Sequence, residues 1–361
     1  MSPSSAIANR RAVWWWVLGL LGLVLVVAVS TVVVWTWGAG SYKIFSVSVN
    51  PPATGGSCGS VTTDGSSAHL AVVRSRSEVE AYTYVCINGS GPWPFVVDTG
   101  ASSSAIAAPL AKRLGLVTSG APSEYTGVGC TLRSMGVRVR SWSMGGVALA
   151  PQALQSQSLI GLGGRGEAQG LIGADVLSRF GVVELNYSNS TLSLGGDEGS
   201  EPTQLVEMTG EASNAPLPGD VTGPGPATQV GMTVLRGQGF AMALTRDGFP
   251  GGPDGAILLD TGSSRSAIDS AVAGGGLATT GSSEQTGTAC TTVTASLVRS
   301  GAWTLPDTAS GRPLALPATH IAEVSLGEPG IDGLLGSDVL SRYGWVTFDF
   351  AGGRLLLGSR S

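Results

Sequence analysis

The sequence predicts an all-β fold of two related lobes behind one membrane-spanning helix, on three observations. The string V-V-D-T-G-A-S-S-S-A-I at Val96 to Ile106 returns as L-L-D-T-G-S-S-R-S-A-I at Leu258 to Ile268, 162 residues further on. G-L-I-G-A-D-V-L-S-R-F-G at Gly170 to Gly181 returns as G-L-L-G-S-D-V-L-S-R-Y-G at Gly333 to Gly344, 163 residues on. Two motifs in one order at nearly one offset mark an internal duplication, and 361 residues suffice for two domains with separate cores. Gly is abundant at 55 residues and only 12% of residues are charged; short apolar runs between dispersed Gly, Ser and Thr indicate strands and turns. Finally, Ala12 to Ser41 contains no charged residue.

In chain order, residues 1–12 form a cytoplasmic tail and 13–37 the transmembrane helix. Val13 to Trp37 offers roughly 25 mainly apolar positions, enough to cross about 30 Å of hydrocarbon. Trp14, Trp15 and Trp16 stand at one end and Trp35 and Trp37 at the other, where aromatic belts lie. Arg10 and Arg11 precede the span, so the tail is expected inside and everything after Gly38 outside, as a signal-anchor in the cell membrane. The alternative is a signal peptide cleaved near Ala28-Val29-Ser30, for which the apolar run is long. The net charge of −5 and the lack of any Lys/Arg run exclude a nucleic-acid surface.

Residues 38–78 read as a juxtamembrane spacer, rich in Pro, Gly, Ser and Thr over Pro51 to Ser67. The N-terminal lobe spans 79–196. It starts with a β-rich run at Ala81 to Ile87, a turn at N-G-S-G-P, and an apolar strand, Phe95 to Val97, that ends in Asp98. A short helix is expected at Ala107 to Leu114. Residues 197–228 form the interlobe linker, with a possible strand at Gln204 to Met208, and 229–361 the C-terminal lobe, which repeats the plan with Phe240 to Leu244 and Ile257 to Leu259 leading to Asp260. Val182 to Leu194 and Trp345 to Leu357 close the lobes with two strands each. Asp175 and Asp338 follow small residues and are expected to cap short helices.

All four cysteines, Cys58, Cys86, Cys130 and Cys290, fall on the outer side, where disulfides persist. Three connectivities are open. T-G-V-G-C-T around Cys130 matches T-G-T-A-C-T around Cys290, which favours that pair and leaves Cys58 to Cys86. With only His69 and His320 available as nitrogen ligands, no metal and no cofactor are expected.

A carboxylate at the end of a buried strand, on a turn of Thr and Gly, is held by backbone amides in a partly dry place. Two such turns face to face would set Asp98 against Asp260, and like charges that close share one proton. One carboxyl then draws a proton from water while the other protonates the carbonyl under attack.

These motifs resemble the aspartic protease clan of pepsins and retroviral-type proteases, over roughly Ala81 to Gly358. The resemblance implies a bilobal pepsin-like fold of two retropepsin-like lobes, a monomer built as a covalent pseudo-dimer, and endopeptidase activity on extended polypeptides. It implies Asp98 and Asp260 as the catalytic dyad, Thr99 and Thr261 locking the loops together, and Gly100 and Gly262 allowing close approach. Leu171, Ile172 and Gly173, with Leu334, Leu335 and Gly336, match the segments that cross behind each loop. Ser263, where the first lobe has Ala101, would bond the Asp260 carboxylate and make Asp260 the more readily ionised member. Two flap hairpins are implied at Tyr125 to Arg133 and Thr286 to Thr294, with Cys130 and Cys290 near their tips, where a disulfide would clasp the flaps; the alternatives are a stabilising disulfide away from the cleft and two free thiols. Ser102, Ser103, Ser264 and Ser266 read as turn hydroxyls, and Arg179 and Arg342 as local ion pairs or helix ends. The alternative functions are a catalytically silent module that binds extended peptides at the cell surface and a structural envelope protein.

Overall fold

In the first half of the chain the strands run Ser67–His69 (β1), Ala71–Arg74 (β2), Val79–Ile87 (β3), Ser90–Val97 (β4) and Ala105–Ala107 (β5), followed by the helix Ala108–Arg113 (α1). Thr118–Gly127 (β6), Cys130–Val139 (β7), Trp142–Met144 (β8), Val147–Leu149 (β9), Gln152–Gln157 (β10) and Gly170–Ile172 (β11) lead to the helical turn Ala174–Leu177 (α2), then Val182–Asn186 (β12) and Thr191–Leu194 (β13). The second half comprises Thr228–Gly231 (β14), Thr233–Gly237 (β15), Phe240–Arg246 (β16), Ala256–Asp260 (β17), Ala267–Asp269 (β18), Thr279–Gly287 (β19), Thr292–Arg299 (β20), Thr304–Pro306 (β21), Pro313–Ala315 (β22), His320–Val324 (β23) and Ile331–Gly336 (β24). Ser337–Leu340 (α3), Trp345–Asp349 (β25) and Arg354–Leu357 (β26) complete it. The computed structural model describes residues 58, 67–75, 77–128, 130–159, 168–195, 228–237, 240–246, 256–273, 277–287, 292–300, 304–306, 312–317, 319–327 and 330–358. The class is mostly β, as the composition predicts.

Each half is organised around the apolar strand that ends in its D-T-G turn. β4 pairs in parallel with β11, Val96 opposite Leu171, and β11 pairs antiparallel with β5. β17, β24 and β18 reproduce that arrangement, with Leu258 opposite Leu334. Phe95, Val97, Ile172, Leu259 and Leu335 are inaccessible to solvent, which is why these central strands read as continuous apolar runs rather than alternating ones. The full sheets follow the orders β6-β7-β10-β5-β11-β4-β3-β8-β9, with β2 on β3, and β15-β16-β17-β24-β18-β23-β20-β19. β21 and β22 form a two-stranded sheet among the described residues.

A third sheet, β1-β13-β12-β25-β26-β14, takes strands from both halves. Its middle is the antiparallel pair β12–β25, where Val183 meets Phe348 and Leu185 meets Val346. All four side chains are fully buried, so this seam joins the two halves through apolar packing.

Residues 67–74, assigned by composition to the spacer, instead form two strands of the folded body: β1 pairs with β13 and β2 with β3. Cys58 and Cys86 form a disulfide, the pairing the repeat favours. Cys130 is also in a disulfide, while Cys290 lies outside the described residues. α1 occupies the expected helix, with Pro109 in its first turn. Among the described residues no helix is long and apolar enough to cross a membrane. The span expected over 13–37 lies outside the described residues, as does the strand expected at Gln204 to Met208.

Candidate active site

Both D-T-G turns open directly from a central strand, and each is held by its own backbone. Gly100 N and Ala101 N donate to Asp98 Oδ1 at 3.1 and 2.8 Å. Gly262 N and Ser263 N donate to Asp260 Oδ1 at 2.9 and 3.0 Å. The amides thus aim both carboxyls in the same way, two residues beyond the apolar face of the strand.

The turns also hold each other. Thr99 Oγ1 donates to Leu259 O at 2.7 Å and accepts from Thr261 N at 3.0 Å. Reciprocally, Thr261 Oγ1 donates to Val97 O at 2.7 Å and accepts from Thr99 N at 3.1 Å. Both threonines are fully buried, so each hydroxyl satisfies a donor and an acceptor that water cannot reach. Thr99→Val is expected to strand both partners and destabilise the fold by about 2–6 kcal/mol, from about 1–3 kcal/mol per unsatisfied buried group. Thr99→Ser, which keeps the hydroxyl, is expected to cost far less. Denaturant melts of the two variants separate these outcomes.

This reciprocal lock places Asp98 beside Asp260, and the two carboxyls share a hydrogen bond. Burial, and then the neighbouring Asp260 charge, push the Asp98 carboxyl well above the usual carboxylate range. Burial also raises Asp260, against which its amide donors and the Asp98 hydrogen bond act. The hydrogen bond between the two carboxyls thus raises Asp98 and lowers Asp260. The Ser263 hydroxyl, expected to bond the Asp260 carboxylate, donates instead to Arg265 O at 2.6 Å.

The segments after β11 and β24 cross behind the turns. Ala174 N donates to Ala101 O and Ser337 N to Ser263 O, each at 2.8 Å. Here the structure corrects the expected capping role of Asp175 and Asp338. Neither caps its helix; Gly173 and Gly336 occupy the N-cap positions without side-chain bonds. Asp175 Oδ1 instead accepts from Ser104 N at 2.8 Å and Ser104 Oγ at 2.6 Å, while Ser104 Oγ accepts from Gly173 N at 2.9 Å. Ser266, Asp338 and Gly336 repeat this at 2.8, 2.7 and 2.9 Å. Ser266 is thus a structural clasp rather than an idle turn hydroxyl, and Ser104 was absent from the sequence-predicted set. Burial raises both Asp carboxyls, and their serine partners oppose the shift. Arg342 Nε donates to Asp338 O at 3.1 Å, the helix-end role expected of it, and Arg179 donates to Gln152 Oε1 at 2.7 Å.

The second turn carries extra support. Ser337 Oγ donates to Thr261 O at 2.8 Å and lies 2.9 Å from the Tyr187 hydroxyl of the first half. Val79 N donates to Ser264 O at 3.0 Å, and the buried Arg265 reaches Ser77 and Glu78. The loop of the second half is therefore braced by the lead-in to β3.

Hairpins occur at both expected flap positions, β6–β7 and β19–β20. Val128, in the turn of the first, packs against a buried cluster of the second half that includes Leu258, Ala267, Ala322 and Leu334. Leu258 precedes Asp260 by two residues on the same strand and so shares its face. The first hairpin therefore covers the sheet face from which Asp260 projects. Residues 288–291 of the second hairpin lie outside the described residues.

Residues 83–176 match the family model of aspartyl proteases, a stretch that includes the first D-T-G turn and Leu171-Ile172-Gly173. No curated protein sequence matches the chain. Among solved structures, the crystal structure of conglutin gamma, a unique basic 7S globulin from lupine seeds, is similar with a TM-score of 0.46. That alignment has 9% identity and covers 82% of this chain and 95% of that one.

Proposed function

We propose that the chain is an aspartic endopeptidase in which Asp98 and Asp260 hydrolyse peptide bonds. The observation that carries this reading is the reciprocal threonine lock, which sets the Asp98 and Asp260 carboxyls against each other. Ionised Asp260 takes a proton from a water held between the pair, and the water oxygen attacks the scissile carbonyl carbon. Protonated Asp98 gives its proton to the carbonyl oxygen, so the tetrahedral centre forms without a separated charge. Asp260 then passes the proton it took from water to the amide nitrogen while Asp98 takes one from a hydroxyl of the tetrahedral centre, so that the C–N bond breaks to a carboxylic acid and an amine and both carboxyls return to their starting states. The aspartyl protease match over residues 83–176 supports the same reading at the family level.

The finer organisation is part of the proposal. Two duplicated lobes in one chain supply the two turns, and the apolar run over 13–37 anchors the protease in the cell membrane with its body outside. Substrates would then be extended segments of neighbouring envelope or membrane proteins, taken in beneath the flaps. Carbonate extraction of membranes tests the anchor: recovery of the chain in the soluble fraction would remove it.

Cleavage of a diverse peptide pool by the full chain across pH 3 to 7 tests the chemistry. A bell-shaped profile is expected, together with inhibition by a peptide bearing a secondary alcohol in place of the scissile amide. A flat pH response with no inhibition would sink the two-carboxylate mechanism.

A further inference from the structure

The duplication lets each cleft wall be compared position by position. In the second half, Leu258, Leu334, Ala267 and Ala322 are successive register partners across β17, β24, β18 and β23. Register partners share a face, so these side chains form a row beside Asp260. Val324, two residues after Ala322, and Ala295, two before Leu297 (the partner of Ala322), extend that face. All are buried in one apolar cluster beneath Val128. In the first half the same steps run from Val96 to Leu171 to Ala105 to Gln155, and Gly136 is the partner of Gln155. By register, then, Gln155 stands where the second half has Ala322, Gln157 where it has Val324, and Ser134 where it has Ala295.

All three replacements run from apolar to polar. Ser134 is buried, and its Oγ lies 3.1 Å from both Gln155 Oε1 and Ser156 O. That contact occupies the Gln155 carbonyl and turns its amide nitrogen free. Gln155 and Gln157 are partly exposed, and neither Nε2 has a hydrogen-bond partner among the described residues. Two donors in the first half thus occupy the register positions that aliphatic side chains hold in the second.

Building on the proteolytic reading, we infer that the cleft is chemically two-sided and that Gln155 and Gln157 determine specificity. The Asp98 wall takes a substrate side chain that accepts a hydrogen bond, such as Ser, Thr, Asn or Gln. The Asp260 wall takes an aliphatic one at the symmetry-related position. A substrate side chain unable to accept would leave the glutamine donors covered and unpaired, which penalises the wrong residue more than a mere change in apolar size would.

The test profiles the full chain on a position-scanned peptide library in two ways: cleavage by the wild type, and capture by the Asp98→Asn chain. The wild type is expected to select a hydrogen-bond acceptor at one position and an aliphatic residue at its symmetry mate. The double variant Gln155→Ala, Gln157→Val, which gives the first wall the residues of the second, is expected to shift the polar position toward aliphatic residues by roughly tenfold and leave its mate unchanged. A circular dichroism spectrum and thermal melt matching those of the wild type show that the variant is folded. Equal aliphatic preference at both positions in the wild type, or a polar preference that survives the double variant, overturns the inference while leaving proteolysis standing. Two-sided capture without cleavage supports the inference and removes proteolysis. A library that is neither cleaved nor captured removes both.

Discussion

Asp98→Asn and Asp260→Asn are each expected to lower peptide cleavage by roughly a thousandfold or more, and both are expected to raise the melting temperature at pH 7. The two effects share one cause. A pair that must hold one proton loses either its base or its acid when one carboxyl becomes an amide, so turnover falls whichever member is changed. The folded pKa of Asp98 is raised above its ordinary value of 3.8 by burial and by Asp260. For a group shifted upward, the favourable contribution to stability is present below the unfolded pKa and is lost as pH rises through the folded pKa. Near neutrality the wild-type fold therefore bears the cost of ionising a buried pair, and Asn removes it. The gain in melting temperature is expected to shrink as pH falls through the raised Asp98 range toward 3.8 and to vanish below it, where both states are protonated. Thermal melts of the wild type and both variants between pH 3 and 7 measure this directly. A variant less stable than the wild type at pH 7 would mean that the carboxyls are not pressed together. In activity, the alkaline limb of the profile belongs to the raised Asp98 and is expected above the usual carboxylate range.

Gly262→Ala should disable the site by steric means alone. A Cβ at Gly262 would fall 2.2 Å from Asp98 Cγ, and one at Gly100 would fall 2.4 Å from Asp260 Cγ. Neither carboxyl can move aside cheaply, because each is fixed by two amides of its own turn and by the threonine lock. Overpacking of this kind costs about 1–3 kcal/mol, and a displacement of the pair by about 1 Å costs on the order of a hundredfold in rate. The double variant Asp98→Ala, Gly262→Ala removes the atoms that clash. It is expected to recover the lost stability without recovering cleavage, and additive losses in that cycle would show that the two sites do not touch.

The D-T-G turns, the crossing segments and the flap hairpins were legible because each occurs twice in one order, and repetition turns weak turn chemistry into a pattern. The Ser104–Asp175 and Ser266–Asp338 clasps were not. Their partners stand 71 and 72 residues apart, and Ser and Asp are too common in turns for such a pairing to stand out. A helix cap was the local explanation for those Asp residues, and a long-range contact displaced it. Ser263 failed in the opposite sense: its hydroxyl found a nearer acceptor in Arg265 O. β1 and β2 were hidden because Ser67 to Arg74 follows a Gly- and Ser-rich stretch and is too short to show a period, so only pairing with β13 and β3 defines it.

The seam at β12–β25 has a consequence for biosynthesis. β12 is finished when Asn186 leaves the ribosome, yet its neighbour begins at Trp345, more than 150 residues later. At about 5–20 residues per second, the nascent first half waits many seconds with a bare β-edge whose Val183 and Leu185 are destined for burial. Such an edge invites pairing with another nascent chain. Chains stalled or truncated before Trp345 are therefore the form of this protein most prone to aggregate, and their solubility is expected to return only when synthesis has passed β25.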